Sequence, residues 1–388
     1  MAETAQLPGG LVAARRPLDP DAPWVPAWRA LGGHAHVANP FYEAGYALAA
    51  RAAFGAGVRL ILVADRSPEA PGARLLAAWP CCLLWRRWGL PLPLLMGWTH
   101  GYCPFGAPLL DAAEPARALA ALLAAPRALG LPPRLLMPNA PTDGPLHAGL
   151  DAAGVRRAAY WAHERGLLDL EGLAPEARRG YLGHLSGKRR RKLRLARERL
   201  EAGGPVALEI LDEPGGLDAA LTDHIALEAA GWKGRAGTGL GQRPEEAAFL
   251  HAAAADLGAE RRIRIARLRR GDRVLASAIL PLTGTEAWFL KIVHDESDPE
   301  AAPGVQLVHR LTEAALAGDG IERIDSCAPP DFALGTTFWT GRRRIGHLLV
   351  EGGRDPVFPL AAALERARER VALARIAARA RRARSAAA

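Results

Sequence analysis

Four ionisable residues in the C-terminal half of the chain have side chains suited to acid–base or electrostatic catalysis. They are Glu228, Lys291, Asp295 and Asp325. Lys291 is the only charged residue in the apolar run 287–293, which has the composition of a buried strand. Because an unpaired buried lysine costs several kcal/mol, we expect Lys291 to pair with Asp325 or Glu228, or to face a ligand anion.

Each of the three carboxylates also has a structural interpretation. Asp325 ends a predicted strand, at the edge where open α/β sheets bind ligands, but it could equally cap the helix that follows. Asp295 is either a general base or a cap for the loop before Pro303. Glu228 is either catalytic or orients the glycine-rich turn that follows it in the sequence.

Two further groups of residues could bind a substrate or an anion. Trp232 and Lys233 lie in the glycine-rich turn 231–241, where Trp232 is either a core residue or a substrate platform. Five consecutive cations, which include Lys188, Arg189 and Arg190, begin the predicted helix 186–200, at the unfavourable end of the helix dipole. They form a solvated face, or they bind a CoA or carrier-protein phosphate, tRNA or a membrane surface.

A predicted strand and helix position the catalytic candidates. The strand covers residues 286–293, and Pro303 and Gly304 open an amphipathic helix that continues to residue 316. The first turn of this helix, which includes Val305 and Gln306, presents free backbone N–H groups that can seat an anion. A strand followed by a helix is also an ordinary unit of an α/β core.

Length, charge and cysteine usage limit the class of protein. The 388 residues suffice for two domains, and 49% are hydrophobic. The net charge of +9 is concentrated at 186–199, with eight basic residues and one acid, and at 361–388, with eight arginines and two acids. The four cysteines form no CxxC pair or zinc-ligand cluster, and we predict no metal site. The sequence shows no secretory signal and no membrane span, so we expect a cytoplasmic protein, with residues 1–23 as a loose arm.

The order of the predicted elements in the second half resembles the GNAT acyltransferase fold. The order is strand, two helices, three antiparallel strands, helix, strand, helix, strand. The chain is also similar to the CelD/BcsL (BioF-like) subgroup of GNAT acetyltransferases, which is related to the FemABX transferases. This resemblance rests on segments in both halves of the chain, of which 231–238 is the most specific: 39–43, 185–194, 227–238, 290–295 with 303–304, and 324–328.

The resemblance implies a mixed α/β fold with two tandem GNAT-like domains. These would be a degenerate scaffold domain at 24–165 and an acyltransferase domain at 166–355, followed by a basic helical tail at 356–388. An amine would attack a thioester carbonyl directly, and a backbone N–H of the fourth strand would stabilise the oxyanion. In this chain Ile292 and Val293 would border acetyl-CoA or another acyl-CoA, and residues 303–306 would lie at its phosphate end.

The loop before residue 303 departs from the usual GNAT pattern. The sequence His-Asp-Glu-Ser-Asp-Pro-Glu-Ala-Ala at 294–302 carries four acids in place of a glycine-rich phosphate loop, and they would repel a pyrophosphate unless basic groups neutralise them. The expected function is therefore N-acyl transfer from acyl-CoA or a carrier-protein thioester to a small-molecule amine. The alternatives are a Fem-like transferase that uses aminoacyl-tRNA, bound by helix 186–200, and a non-catalytic accessory protein in envelope polysaccharide synthesis.

Overall fold

A computed structural model describes residues 3–329 and 333–387, and in them the GNAT-like order of elements occurs twice. The elements of the first half are β1 (Thr4–Gln6), β2 (Val12–Arg16), α1 (Val25–Gly33), α2 (Ala44–Phe54), β3 (Val58–Ala64), β4 (Leu75–Leu84), β5 (Leu94–Gly97), β6 (Leu109–Leu110), α3 (Pro115–Ala128), β7 (Arg134–Pro141), α4 (Gly144–Ala152) and β8 (Arg157–Asp169). The series from β2 to β8 follows the predicted order.

The second half repeats this order after two additional helices. Its elements are α5 (Pro175–Gly180), α6 (Gly187–Glu201), β9 (Ala207–Leu211), α7 (Pro214–Ala230), α8 (Trp232–Arg235), α9 (Pro244–Ala259), β10 (Ile263–Arg270), β11 (Arg273–Thr283), β12 (Glu286–Trp288), β13 (Lys291–His294), α10 (Pro303–Leu316), β14 (Arg323–Asp325), α11 (Ala333–Phe338), β15 (Gly341–Glu351) and α12 (Phe358–Ala387). The mixed α/β fold class with two GNAT-like domains is confirmed.

The chain divides into two compact units whose limits differ from the predicted domains. Unit 1 comprises Met1–Tyr42, Gly57–His163 and Arg344–Ala388, and unit 2 comprises Glu43–Ala56 and Glu164–Arg343. Helix α2 therefore belongs to unit 2, and the predicted tail belongs to unit 1. The sequence-based domains remain a prediction.

Unit 1 contains a sheet in which β1 to β4 pair in antiparallel order, β5 pairs with β4, and β7 pairs parallel to β5. The expected loose arm at 1–23 is wrong, because β1 and β2 lie within it and Ala13 and Ala14 of β2 are fully buried. The apolar residues at 11–14 suit a strand, but the surrounding Pro and Gly residues obscured that pattern.

The sheet of unit 2 separates two helical layers. Strands β9, β10, β11 and β13 pair in antiparallel order, and β12 pairs with both β11 and β14. On β11, Ala278 and Leu280 pack in the core cluster that contains α6 and α10, whereas Ile279 and Pro281 line a cavity with α7 and α9. Successive side chains of a strand point to opposite faces, so the helices cover both faces of the sheet.

The basic helix is confirmed as α6. Ser186 is its N-cap, and the Ser186 Oγ accepts a hydrogen bond from the Arg189 N–H (3.3 Å). Leu193, Ala196 and Leu200 form its buried face. The short helix predicted near 332–338 is observed at Ala333–Phe338, and Phe332 lies outside the described residues.

Candidate active site

The predicted strand 286–293 is interrupted, and the interruption opens a cleft in the sheet. Strand β12 pairs parallel to β14, with Trp288 opposite Asp325. Strand β13 pairs, among the described residues, with β11 alone. Between them the Leu290 N–H bonds the carbonyl of Ile279 (3.0 Å), which is also the register partner of Lys291. Two residues therefore face one, as in a β-bulge, and the chain diverges from β14 after Phe289, whose N–H still donates to the Asp325 carbonyl (2.8 Å).

The cleft exposes one edge of β13. The Asp295 N–H donates to the Leu275 carbonyl (2.9 Å), and His294 lies opposite Ala276. In an antiparallel ladder the N–H groups alternate in direction, so those of Ile292 and His294 point away from β11. The backbone at Ile292 can thus donate a hydrogen bond into the cleft.

A buried cluster of charges joins β13 to α7 at this position. The Glu228 carboxylate, 3% exposed, pairs through Oε1 with Lys291 Nζ (2.8 Å) and with Lys233 Nζ (3.1 Å). Its Oε2 accepts the Leu240 N–H (2.8 Å). The expectation that Lys291 has a carboxylate partner is met, and that partner is Glu228.

The environment shifts the pKa of both members of this pair. Burial by itself would raise the pKa of Glu228, but the hydrogen bonds from Lys291, the Leu240 N–H and Lys233 outweigh burial and lower it to about 2. Burial, with repulsion from Lys233, lowers the pKa of Lys291, although Glu228 opposes this. At neutral pH the Glu228 carboxylate is therefore ionised and a weak base.

The turn after α7 brings Trp232 and Lys233 to the same site. Trp232 is 58% exposed, so its interpretation as a core residue is wrong. The backbone N–H of Trp232 donates to Glu296 Oε1 (3.0 Å), and Lys233 Nζ lies 5.9 Å from the centroid of the Trp232 ring. A Cβ at Gly234 would lie 1.8 Å from the carbonyl oxygen of Ala229, so this turn requires glycine.

Three arginines pair with the four acids of the loop between β13 and α10. Arg273 pairs with Asp295, Arg235 with Glu296 (2.6 Å), and Arg199 with both Asp298 (2.6 Å) and Glu300 (2.6 Å). Each carboxylate of the loop thus has an arginine partner, and one net negative charge remains because Arg199 is shared by two acids. The repulsion that the sequence suggested for an anionic ligand is therefore reduced within the structure.

A groove of about 690 Å³ lies between α6 and the start of α10. Its lining residues are Arg189, Lys192, Leu193, Leu195, Ala196, Arg199, Pro299, Glu300, Ala302 and Val305. The side chains of residues 188–192 have no ion-pair or hydrogen-bond partner among the described residues, whereas Arg194, Arg197 and Arg199 are all paired with acids. Lys188 and Arg190 are exposed and do not line the groove.

Three smaller cavities share lining residues with one another, and one of them shares a residue with this groove. A cavity of about 60 Å³ shares Arg199 with the groove, and it shares Asp295 and Ser297 with a cavity of about 300 Å³. That larger cavity shares His294 with a cavity of about 50 Å³ lined by Glu228, Lys233, Ile292 and Val293.

Two predicted catalytic residues have structural roles. The fully buried Asp325 bonds Arg165 (2.6 Å) and Arg343 (2.8 Å) and accepts the Cys327 N–H (2.8 Å), so it cannot receive a proton from a ligand in the cleft. Asp295 pairs with Arg273 and accepts the Ser297 N–H (2.9 Å), so it caps the loop before Pro303, in agreement with its structural interpretation.

The predicted cofactor-binding residues of α10 are partly engaged within the protein. The 1% exposed Gln306 side chain donates to the Leu193 carbonyl of α6 (2.9 Å), so it ties the two helices together. A Cβ at Gly304 would lie 3.1 Å from His294 Nδ1, which brings the helix start against β13. Pro303 lines the 60 Å³ cavity and Val305 the groove.

Sequence reasoning missed His224 and the arginines that pair with the loop acids. His224 precedes Glu228 by one helical turn on α7 and bonds Ser277 Oγ through Nδ1 (3.0 Å). Burial, with the nearby Lys291, lowers the pKa of His224 to about 3. The i, i+4 spacing of His224 and Glu228 was a signal for a shared helix face, but no local pattern links Arg199 or Arg273 to a loop distant in sequence.

Residues 187–332 match the family model described as an acetyltransferase (GNAT) domain. Unit 2, with its interrupted fourth strand and the helix that follows, is therefore an acyltransferase domain. The chain therefore contains a GNAT acetyltransferase domain, as an enzyme of the N-acetyltransferase type does.

Several solved structures are similar to this chain at low sequence identity. A conserved protein of unknown function from Bacteroides thetaiotaomicron is similar with a TM-score of 0.50 and 9% identity, over 84% of this chain and 97% of the other. The structure of FemX is similar with a TM-score of 0.45 and 12% identity, over 87% of this chain and 98% of FemX. The structure of L-PGS from Bacillus licheniformis is similar with a TM-score of 0.44 and 12% identity, over 74% of this chain and 84% of the other. A search of curated proteins found no match.

No helix among the described residues is long and apolar enough to cross a membrane.

Removal of the Glu228 charge should destabilise unit 2. Glu228→Gln leaves Lys291 without its buried counterion, and we expect the free energy of unfolding to fall by about 3 kcal/mol. Urea denaturation of Glu228→Gln, Lys291→Met and the double variant measures this effect. The double variant should recover part of the loss, because no uncompensated charge remains. Additive losses would contradict the pairing.

The lowered pKa of Glu228 also predicts a dependence of stability on pH. Because the folded state binds this proton more weakly than the unfolded state, whose carboxyl titrates near 4.5, the contribution of Glu228 is complete above about pH 5. It is lost as the pH falls through about 2. The difference in unfolding free energy between wild type and Glu228→Gln should therefore shrink between pH 5 and pH 2, whereas a constant difference would contradict the shift.

Proposed function

We propose that unit 2 transfers an acyl group from an acyl-CoA thioester to an amine acceptor. The observation that carries this proposal is the bulge at residues 289–291, which leaves the edge of β13 free beside a buried lysine. The edge supplies a backbone N–H where the oxyanion forms, and Lys291 supplies a positive charge. The resemblance to the CelD/BcsL subgroup remains a prediction from the sequence segments.

The reaction proceeds by direct attack. The amine nitrogen donates its lone pair to the thioester carbonyl carbon, the C–N bond forms, and the carbonyl oxygen becomes an oxyanion. The Ile292 N–H and the Lys291 ammonium stabilise this oxyanion. The C–S bond then breaks, the CoA thiolate leaves, and the proton of the attacking nitrogen passes to water. Glu228, with a pKa of about 2, is too weak a base for that proton and acts by holding Lys291 and Lys233 in place.

The groove beside α6 supports CoA as the donor. Arg189 and Lys192 line it without partners of their own, and Leu193, Leu195 and Val305 give it an apolar wall. Phosphate groups suit the two cations, and an adenine ring suits the apolar wall. The pairing of the loop acids with arginines weakens the main argument against a pyrophosphate at this position.

A second candidate is aminoacyl transfer from charged tRNA, which the unpaired cations at 188–192 favour. Such a donor should bind tightly and with a steep dependence on salt concentration. We prefer acyl-CoA because the groove is partly apolar, whereas a nucleic acid backbone would need only the exposed cations.

Substitution of Lys291 tests the mechanism. For Lys291→Met we expect kcat to fall about 100-fold with KM for the donor little changed, because the ammonium acts on the transition state. Steady-state assays with acetyl-CoA and a panel of amines measure this. The control is Lys233→Met, which leaves the pair between Glu228 and Lys291 intact, and its kcat should fall less than that of Lys291→Met. Unchanged kcat in Lys291→Met would contradict the assigned role.

Calorimetric titration with acetyl-CoA tests the donor site, with a search for copurified CoA by mass spectrometry beside it. Arg189→Ala and Lys192→Ala should each weaken acetyl-CoA binding about tenfold, since each removes a charge-assisted hydrogen bond. Arg191→Ala, which removes an unpaired cation of the same helix outside the groove, should bind like wild type. Binding of acetyl-pantetheine, which lacks the nucleotide, should be the same in all variants. Absence of binding to any acyl-CoA would reject this donor.

A further inference from the structure

The second half of α12 is a strongly basic helix that the acyltransferase site does not involve. Residues 370–382, which we call the basic segment, contain five arginines and no acid. The last acid before the segment is Glu369, and no acid follows it in the sequence. The side chains of Arg370, Arg375 and Arg379 have no partner among the described residues.

Three exposed apolar side chains of the basic segment lie along one face. Leu373, Ile376 and Ala377 follow the i, i+3, i+4 spacing of an amphipathic helix. Leu373 is 50% and Ile376 56% exposed. At 100° per residue the five arginines fall on the other half of the helix surface, with Val371 among them.

The first half of α12, by contrast, is fixed to unit 1. Phe358 and Ala361 are part of a core cluster with β5 and β7. Glu365 accepts two hydrogen bonds from Arg87 (both 2.8 Å) and one from the Trp88 Nε1–H (2.8 Å). The body of unit 1 therefore orients α12 through its first turns, and the apolar face of the basic segment remains uncovered.

The loop that holds α12 presents further apolar side chains. This loop joins β4 to β5, and in it Trp85 is 62% and Leu90 44% exposed, beside the exposed Arg86. Arg87 of the same loop bonds Glu365, and Arg368 Nη1 donates to the Arg87 carbonyl (3.4 Å). Tryptophan and arginine are both favoured where apolar chains meet lipid headgroups.

We propose that the basic segment, with the loop that carries Trp85, binds the surface of a bilayer that contains anionic phospholipids. The helix lies in the plane of the interface, with Leu373 and Ile376 among the acyl chains and the arginines among the headgroups. A second copy of the segment is a poor occupant, because it would set five arginines against five. Nucleic acid would leave the apolar face exposed.

Vesicle sedimentation of the full chain tests this proposal. We expect binding to vesicles of phosphatidylglycerol and phosphatidylcholine, and little binding to phosphatidylcholine alone. Leu373→Ser/Ile376→Ser should weaken binding to the anionic vesicles at least about tenfold, because burial of both side chains is lost. Arg375→Ala/Arg379→Ala should weaken it about fivefold for each arginine and reduce its salt dependence.

Val371→Ser is the matched control, since it removes an exposed apolar side chain from the arginine half of the segment, and it should bind like wild type. Equal binding to neutral and anionic vesicles would overturn the proposal, as would wild-type binding by Leu373→Ser/Ile376→Ser. Self-association that this double variant abolishes would assign the face to a second copy. Binding of RNA without vesicle binding would assign the segment to nucleic acid. Circular dichroism checks that each variant is folded.

Discussion

The buried ion pair between Glu228 and Lys291 is the interaction on which the geometry of the site depends. It joins helix α7 to β13 directly after the bulge, and the same carboxylate holds Lys233 and the Leu240 N–H of the following turn. Two charges taken out of water are stable only with such complete pairing. The pair therefore fixes a positive charge beside the free strand edge, in a position that an unpaired lysine could not keep.

A second set of ion pairs decides how an anion can approach the site. Arg199, Arg235 and Arg273 pair with the four acids of the loop after β13, and they come from α6, α8 and β11. Because these arginines satisfy the loop acids, the cations at 188–192 remain available for a ligand. The charge of the site is thus set by pairing across elements that are far apart in sequence.

Much of the fold could be predicted from local patterns. The basic helix that begins near residue 186 and the Pro303-Gly304 opening of α10 were both predicted, and both were confirmed. The site was less predictable. Asp325 ends a strand, where ligand-binding residues often lie, but it is buried and paired with two arginines. Trp232 has the size of a core residue, but it is exposed in a turn that requires Gly234.

The sequence by itself determined the order of elements, the location of excess positive charge and the need of Lys291 for a counterion. These follow from periodicity, composition and the cost of a buried charge, which act locally. Only the tertiary structure decided that the counterion is Glu228, that the fourth strand breaks at residue 289, and which cations remain unpaired. Those outcomes depend on contacts between residues up to about a hundred positions apart, and such contacts leave no local pattern in the chain.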